Sequence, residues 1–251
     1  MELVIKQEQA FQYIEEGEGE VLLLLHGLFG ALSNFSDLVS SFSGRYKLVV
    51  PILPIYSLPI AETNLPSLTQ FVHSFVQFKG FEQFVLLGNS LGGHISLLYA
   101  KQFQQELKAL ILTGSSGLFE NAMGDTFPQR KNYDYIKEKT EYTFYDPRTA
   151  SKELVDEVFG IVNDRERAMR VVAMAKSAIR NNMADDLPNI KIPTLLIWGN
   201  EDRVTPPFVA DDFKRLLPNA ELHFIPQCGH APMMEQPETF NQILAQFLDK
   251  L

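Results

Sequence analysis

Phe84-Val85-Leu86-Leu87-Gly88-Asn89-Ser90-Leu91-Gly92-Gly93 is a short apolar run that passes directly into a G-x-S-x-G pattern. The run predicts a buried strand and the residues after Ser90 predict a helix. A serine on so sharp a strand-to-helix turn sits in a strained backbone conformation, and side chains two positions before and after it would collide, so Gly88 and Gly92 are expected there. The turn pushes the Ser90 hydroxyl clear of the backbone. The helix that starts at Leu91 aims its unpaired N–H groups and positive dipole end at charge developing beside that oxygen. A glycine-rich turn that merely carries a serine would show the same five residues. Context separates the two, and it lies elsewhere in the chain.

Upstream, Leu3 to Lys6 and Phe11 to Ile14 read as short strands, and Val21 to Leu25 as a third, solidly apolar like a strand covered on both faces. This third strand ends in His26-Gly27-Leu28-Phe29-Gly30. In the fold that such an elbow suggests, the following loop lies beside the serine and lends it an N–H, with Leu28 the expected donor and Leu91 its partner. His26, at the end of a buried strand, reads as loop architecture rather than a catalytic base. A helix is expected over Asn34 to Phe42, a strand over Lys47 to Val50, and an extended proline-rich loop over 51–59. Leu68, Phe71, Val72, Phe75 and Val76 repeat at i, i+3, i+4 and predict a helix from Leu68 to Lys79, which leads into the elbow strand. Ala109 to Leu112 is a further apolar strand.

From Leu118 to about Pro188 the pattern turns helical and charged. The expected organisation is an α/β core over 1–117 and 189–251 with a helical cap or lid over 118–188. Phe29, Phe119, Met123, Phe127, Tyr142 and Phe144 are candidates to line an apolar pocket above the serine, although any single one within the insertion is more often part of its own small core. The sheet resumes at Thr194 to Gly199 and is followed by Asn200-Glu201-Asp202-Arg203-Val204-Thr205-Pro206. Catalytic groups in open α/β sheets gather at the carboxyl ends of strands, which makes Asp202 the candidate acid. A helix over Phe208 to Leu217, a strand over Glu221 to Ile225 and a terminal helix from Pro237 to Leu251 complete the reading, with His230 in the loop after the last strand.

At 251 residues and 45% apolar content, the chain can bury the core of one α/β domain. The net charge of −9 argues against nucleic acid and against an anionic membrane surface, since both demand clustered Lys and Arg. No apolar run is long enough to span a membrane. Cys228 is the single cysteine, which leaves no intrachain disulfide, and Met1 to Lys6 lacks a basic region followed by a hydrophobic segment, so a cytoplasmic protein is expected.

The motifs His26-Gly27-Leu28-Phe29-Gly30, Gly88-Asn89-Ser90-Leu91-Gly92-Gly93, Gly199 to Pro206 and Gly229-His230 together resemble the α/β-hydrolase superfamily over nearly the whole length. The order serine, aspartate, histidine is the order of its triad. The resemblance implies a mostly parallel central sheet flanked by helices, with a helical cap insertion. It further implies catalysis by Ser90, Asp202 and His230 on a small-molecule substrate, with no metal or organic cofactor. Within the superfamily the chain is similar to small capped esterases and to carbon–carbon bond hydrolases. An ester, lactone or thioester hydrolase is therefore expected, with a C–C bond hydrolase or a receptor that signals through its cap as alternatives. Such proteins usually follow the fourth strand with Asp-x-Pro-Gly-x-Gly, whereas Leu53-Pro54-Ile55-Tyr56-Ser57 stands here, so this loop is expected to run differently.

Overall fold

A computed structural model describes residues 4–29, 32–121 and 129–251. Its centre is an eight-stranded sheet in the order β1-β2-β4-β3-β5-β6-β7-β8. The strands are β1 (Lys6–Glu8), β2 (Phe11–Glu16), β3 (Glu20–Leu25), β4 (Tyr46–Pro51), β5 (Phe84–Asn89), β6 (Leu107–Thr113), β7 (Thr194–Gly199) and β8 (Ala220–Ile225). β1 and β2 pair antiparallel at one edge, and every pairing from β4 to β8 is parallel. The first strand begins later than Leu3 to Lys6 suggests. Val4 and Ile5 are largely exposed, and pairing starts only at Lys6, opposite Tyr13.

Alternation along the central strands divides the core in two. Leu23, Leu25, Leu86, Leu110, Leu112 and Leu196 face one side, and Leu22, Leu24, Leu87, Ile111, Leu195 and Ile197 face the other. The first side packs on helices α2 (Leu65–Lys79), α3 (Leu91–Phe103) and α7 (Pro207–Leu216), and the second on α1 (Ser36–Phe42) and α9 (Pro237–Leu248). Both faces are covered, which is why the strands read as continuous apolar runs. α2 starts three residues before Leu68 because the Asn64 side chain caps it, accepting from the Ser67 N–H at 2.9 Å. A 3₁₀ turn at Leu32–Phe35 precedes α1 where a single helix from Asn34 was expected, and a short helix α8 (Pro232–Glu235) precedes α9.

Between β6 and β7 the described chain forms α4 (Tyr133–Glu141), α5 (Lys152–Asn163) and α6 (Arg165–Arg180). Ile136, Val158 and Val162 make a small cluster of their own there. The loop after β4 turns tightly. Ile55 N–H donates to Leu53 O at 2.8 Å, Ser57 N–H to Pro54 O at 3.2 Å, and Leu53 and Ile55 are buried. Among the described residues no helix is long and apolar enough to cross a membrane.

Candidate active site

Ser90 sits where β5 ends and α3 begins, with φ 55° and ψ −119°. A non-glycine residue there is held at a cost of about 1–3 kcal/mol. The turn around it is fixed by main-chain bonds: Ser90 N–H donates to Thr113 O at 3.1 Å, and Ser90 O accepts from the N–H groups of His94 and Ser116, each at 3.2 Å. A Cβ on Gly88 would stand 2.4 Å from Gly92 O, and one on Gly92 would stand 2.0 Å from Leu25 O. Both positions are sterically closed to any side chain, so these two glycines let β3, β5 and α3 approach one another.

The loop after β3 runs beside the elbow, since a Cβ on Gly27 would lie 3.3 Å from Ser90 Cβ. His26 ties this loop to the one after β4. Its Nδ1 donates to Gly27 O at 2.8 Å, and Nε2 accepts from Leu53 N–H at 3.1 Å. Burial lowers the pKa of this ring and keeps it neutral, as a structural histidine requires. Tyr56 Oη donates to Leu28 O at 2.6 Å, so a side chain of the divergent loop holds the peptide next to the elbow. Leu28 and Leu91 both border the cavity described below. Leu91 is the first residue of α3, where helix geometry leaves the N–H without an intrahelical acceptor.

Asp202 and His230 meet at the carboxyl ends of β7 and β8. His230 Nδ1 donates to Asp202 Oδ2 at 2.9 Å, which leaves the lone pair on Nε2. Asp202 is buried, and each of its oxygens is satisfied. Oδ1 accepts from Val204 N–H at 2.8 Å and Thr205 N–H at 2.9 Å, and Oδ2 accepts from Thr205 Oγ1 at 2.9 Å. For His230, burial disfavours the charged ring. The Asp202 carboxylate, helped by Glu120 and Glu235, outweighs this and raises its pKa. Glu201, the neighbouring acid, is occupied elsewhere, accepting from Cys228 N–H at 3.0 Å. Cys228 is fully buried and burial pushes its thiol pKa far up, so it packs rather than reacts.

Ser90 and His230 line one cavity of about 200 Å³, as bounded by the described residues. Its walls are mostly apolar, from Phe144, Leu154, Val158, Val171, Met174 and Ala178, most of them on α5 and α6. Of the six aromatic and methionine candidates, Phe29 and Phe144 line the cavity. Phe119 and Tyr142 do not. Phe119 is 47% exposed and rests on Phe208 with ring centroids 5.4 Å apart, and Tyr142 is 53% exposed beside the Arg203 guanidinium. Each found a partner on the outer surface, and its loop phase turns it outward. Met123 and Phe127 lie outside the described residues.

Several site residues fall outside the sequence candidates. Thr205 braces Asp202 through both its N–H and its hydroxyl. Glu235 reaches back from α8 to accept from the N–H groups of Gly229 at 3.0 Å, Ala231 at 3.3 Å and Tyr145 at 2.7 Å, fixing the His230 loop from below. Thr143 O accepts from His230 N–H at 3.0 Å, which joins that loop to the helical segment. Glu120 also borders the cavity. Only Glu235, three residues into a short helix opened by a proline, left a signal in its spacing.

The family described as alpha/beta hydrolase fold matches residues 20–237. MGS-MChE2, an alpha/beta hydrolase enzyme from the metagenome of sediments of the lagoon of Mar Chica, Morocco, is 46% identical, with a TM-score of 0.83 and 98% of each chain covered. Lipase 1 of Psychrobacter immobilis is 28% identical over 89% of this chain and 75% of its own length. The 2-hydroxy-6-oxo-6-(2'-aminophenyl)hexa-2,4-dienoic acid hydrolase of Metapseudomonas resinovorans is 27% identical over 95% and 87%, respectively. Sheet order, a strained serine at the end of β5 and relatives that are hydrolases of two chemistries lead to one assignment: the chain is a hydrolase of the alpha/beta hydrolase fold family.

Proposed function

We propose that the protein is a serine hydrolase that cleaves a small ester-like substrate, a short to medium acyl ester, lactone or thioester, through an acyl-enzyme. The observation that carries this reading is the 2.9 Å bond from His230 Nδ1 to Asp202, made on the wall of the same cavity that holds Ser90. His230 takes the Ser90 proton as the hydroxyl attacks the carbonyl, and returns it to the leaving group. Asp202 holds the tautomer and stabilises the imidazolium. The N–H groups of Leu28 and Leu91 receive the oxyanion, and one such donor is worth about 3 to 4 kcal/mol. Water then repeats the sequence on the acyl-enzyme. This chemistry needs no metal or organic cofactor.

Residues 118–188 act in this reading as a cap over the cavity. A volume of about 200 Å³ is below the ~300–1,000 Å³ usual for drug-sized ligands, which favours a small acyl group. The lone buried cysteine fits a cytoplasmic setting. A second reading, hydrolysis of a C–C bond next to a carbonyl, has support from relatives named for that chemistry. A fluorophosphonate probe should label Ser90 alone. In a panel of p-nitrophenyl esters, kcat/KM should climb over the first acyl carbons, by about 0.8 kcal/mol for each methylene buried, and fall beyond about eight. Activity that kept rising to about sixteen carbons, or appeared only above the micellar threshold, would point to a lipase. Turnover of a 2-hydroxy-6-oxo-dienoate in place of all esters would favour the second reading.

A further inference from the structure

Glu120 is the sole acid among the described residues that line the cavity. Its backbone is held from two sides. Asn121 N–H donates to Val204 O and Asn121 Nδ2 to Arg203 O, each at 2.7 Å, which ties the segment to the loop carrying Asp202. Asn182 Nδ2 donates to Leu118 O and Met183 N–H to Gly117 O, each at 2.8 Å, which ties it to the end of α6. Ser116, four residues before Glu120, bonds Ser90 O through its N–H at 3.2 Å and its Oγ at 3.3 Å, which joins the segment to the elbow.

Three acids act on His230: Asp202, Glu120 and Glu235. Asp202 is sealed by the imidazole and by Thr205, and Glu235 is taken up by three main-chain N–H groups, so neither faces a ligand. Glu120 does. His230 acts on Glu120 in return, and the Lys139 ammonium, also on the cavity wall, lies over the rings of Tyr135 and Tyr142, 5.6 and 5.9 Å from their centroids. Apolar walls screen a carboxylate weakly, so a second negative charge brought into this volume is repelled.

We propose that Glu120 is a specificity-determining residue that makes the cavity select neutral or ammonium-bearing esters and reject substrates with a carboxylate on the acyl chain. The inference rests on the serine-hydrolase reading and narrows its substrate class. It also sets a second duty. The ionised carboxyl favours the charged imidazole, and burial raises the pKa of Glu120 itself, so the filter switches on as pH rises.

The test compares p-nitrophenyl butyrate with p-nitrophenyl hemisuccinate, whose acyl groups match in length and differ in the terminal carboxylate, from about pH 5 to 9 across the titration range of both groups. It uses wild type, Glu120→Gln and Glu120→Asp, with the pH dependence of fluorophosphonate labelling as a measure independent of turnover. The wild type should prefer butyrate by about tenfold or more, with the ratio widening as pH rises. Glu120→Gln should shrink the ratio by about fivefold and move the midpoint of the labelling and kcat/KM profiles to lower pH, and Glu120→Asp should keep both wild-type features. A Glu120→Gln enzyme with the wild-type ratio and midpoint overturns the proposal. If that variant does not fold, a wild-type ratio flat with pH overturns it equally. A wild type that the probe does not label at Ser90 refutes the serine-hydrolase reading instead, which is a different result.

Discussion

The floor and the roof of the cavity are built on opposite principles. The floor is polar and over-determined: Asp202 accepts from two N–H groups, a hydroxyl and an imidazole, and the His230 loop hangs from Glu235 and Thr143. The roof is apolar and loosely specified, α4 and α5 around a cluster of Ile136, Val158 and Val162, with α6 turning Val171, Met174 and Ala178 to the cavity. Directional bonds demand particular residue types at particular places. Apolar contact asks only for a suitable volume. On the serine-hydrolase reading, changes in the floor should act on rate by orders of magnitude, and changes in the roof on which acyl chain fits.

The largest effect should come from Ser90→Ala, which should remove both turnover and probe labelling; labelling that persists would place the nucleophile elsewhere. Asp202→Asn should lower kcat by about 10⁴ with the fold intact, through loss of tautomer and orientation, as seen by steady-state kinetics beside thermal melts. A loss within tenfold would mean that another acid does the work. The pH profile comes next. Because the pKa of His230 is raised and its neutral form is the base, kcat/KM should rise through a midpoint above about 6.5. The stability that this same group contributes runs the other way. It is fully present below about pH 6.5 and is lost as pH rises through the raised value, so melting measurements should show a decline where activity climbs.

In the roof, Met174→Ala should cost about 2–5 kcal/mol of stability, since the side chain is fully buried, and move the preferred ester toward longer chains, with kcat/KM on the best substrate changed by only a few fold. An unchanged chain-length profile would mean that α6 does not set the depth of the site. The smallest effect is expected at Phe119→Ala, which should lose about 1 kcal/mol from its contact with Phe208 and leave the profile as it was. A profile altered as strongly as by Met174→Ala would bring Phe119 back to the cavity.

The same contrast explains what could be read from the amino-acid order. Sheet class and the positions of Ser90, Asp202 and His230 were legible because an elbow needs a strand, two glycines and a helix, and because acid and histidine stand at strand ends. Thr205 and Glu120 were not. Threonine after an aspartate is too common to mark a site, and Glu120 owes its place to Asn121 binding Arg203 and Val204, a contact far apart in sequence. Phe144 and Phe119 show the limit for the roof. Both are aromatic residues in loops, and only the three-dimensional course of each loop turns one inward and the other out. Asn64 was readable in principle: an asparagine just before Leu65-Pro66 is a helix-start signal, and it dates the start of α2 three residues earlier than apolar spacing alone.

The parallel pairing of β5 through β8 has a consequence for how the protein comes into being. Each neighbouring pair is joined by a crossover rather than a hairpin, and the serine turn is made long before the strands that deliver Asp202 and His230. No local fragment can carry a competent site. On the serine-hydrolase reading, the elbow gains its acid and base only when β7 and β8 are in place and α9 packs Phe240, Leu244 and Phe247 against the sheet. Non-local pairing of this kind slows folding. Activity regained after dilution from denaturant should therefore trail the recovery of helical signal, and loss of the last helix should silence a chain whose serine turn is untouched.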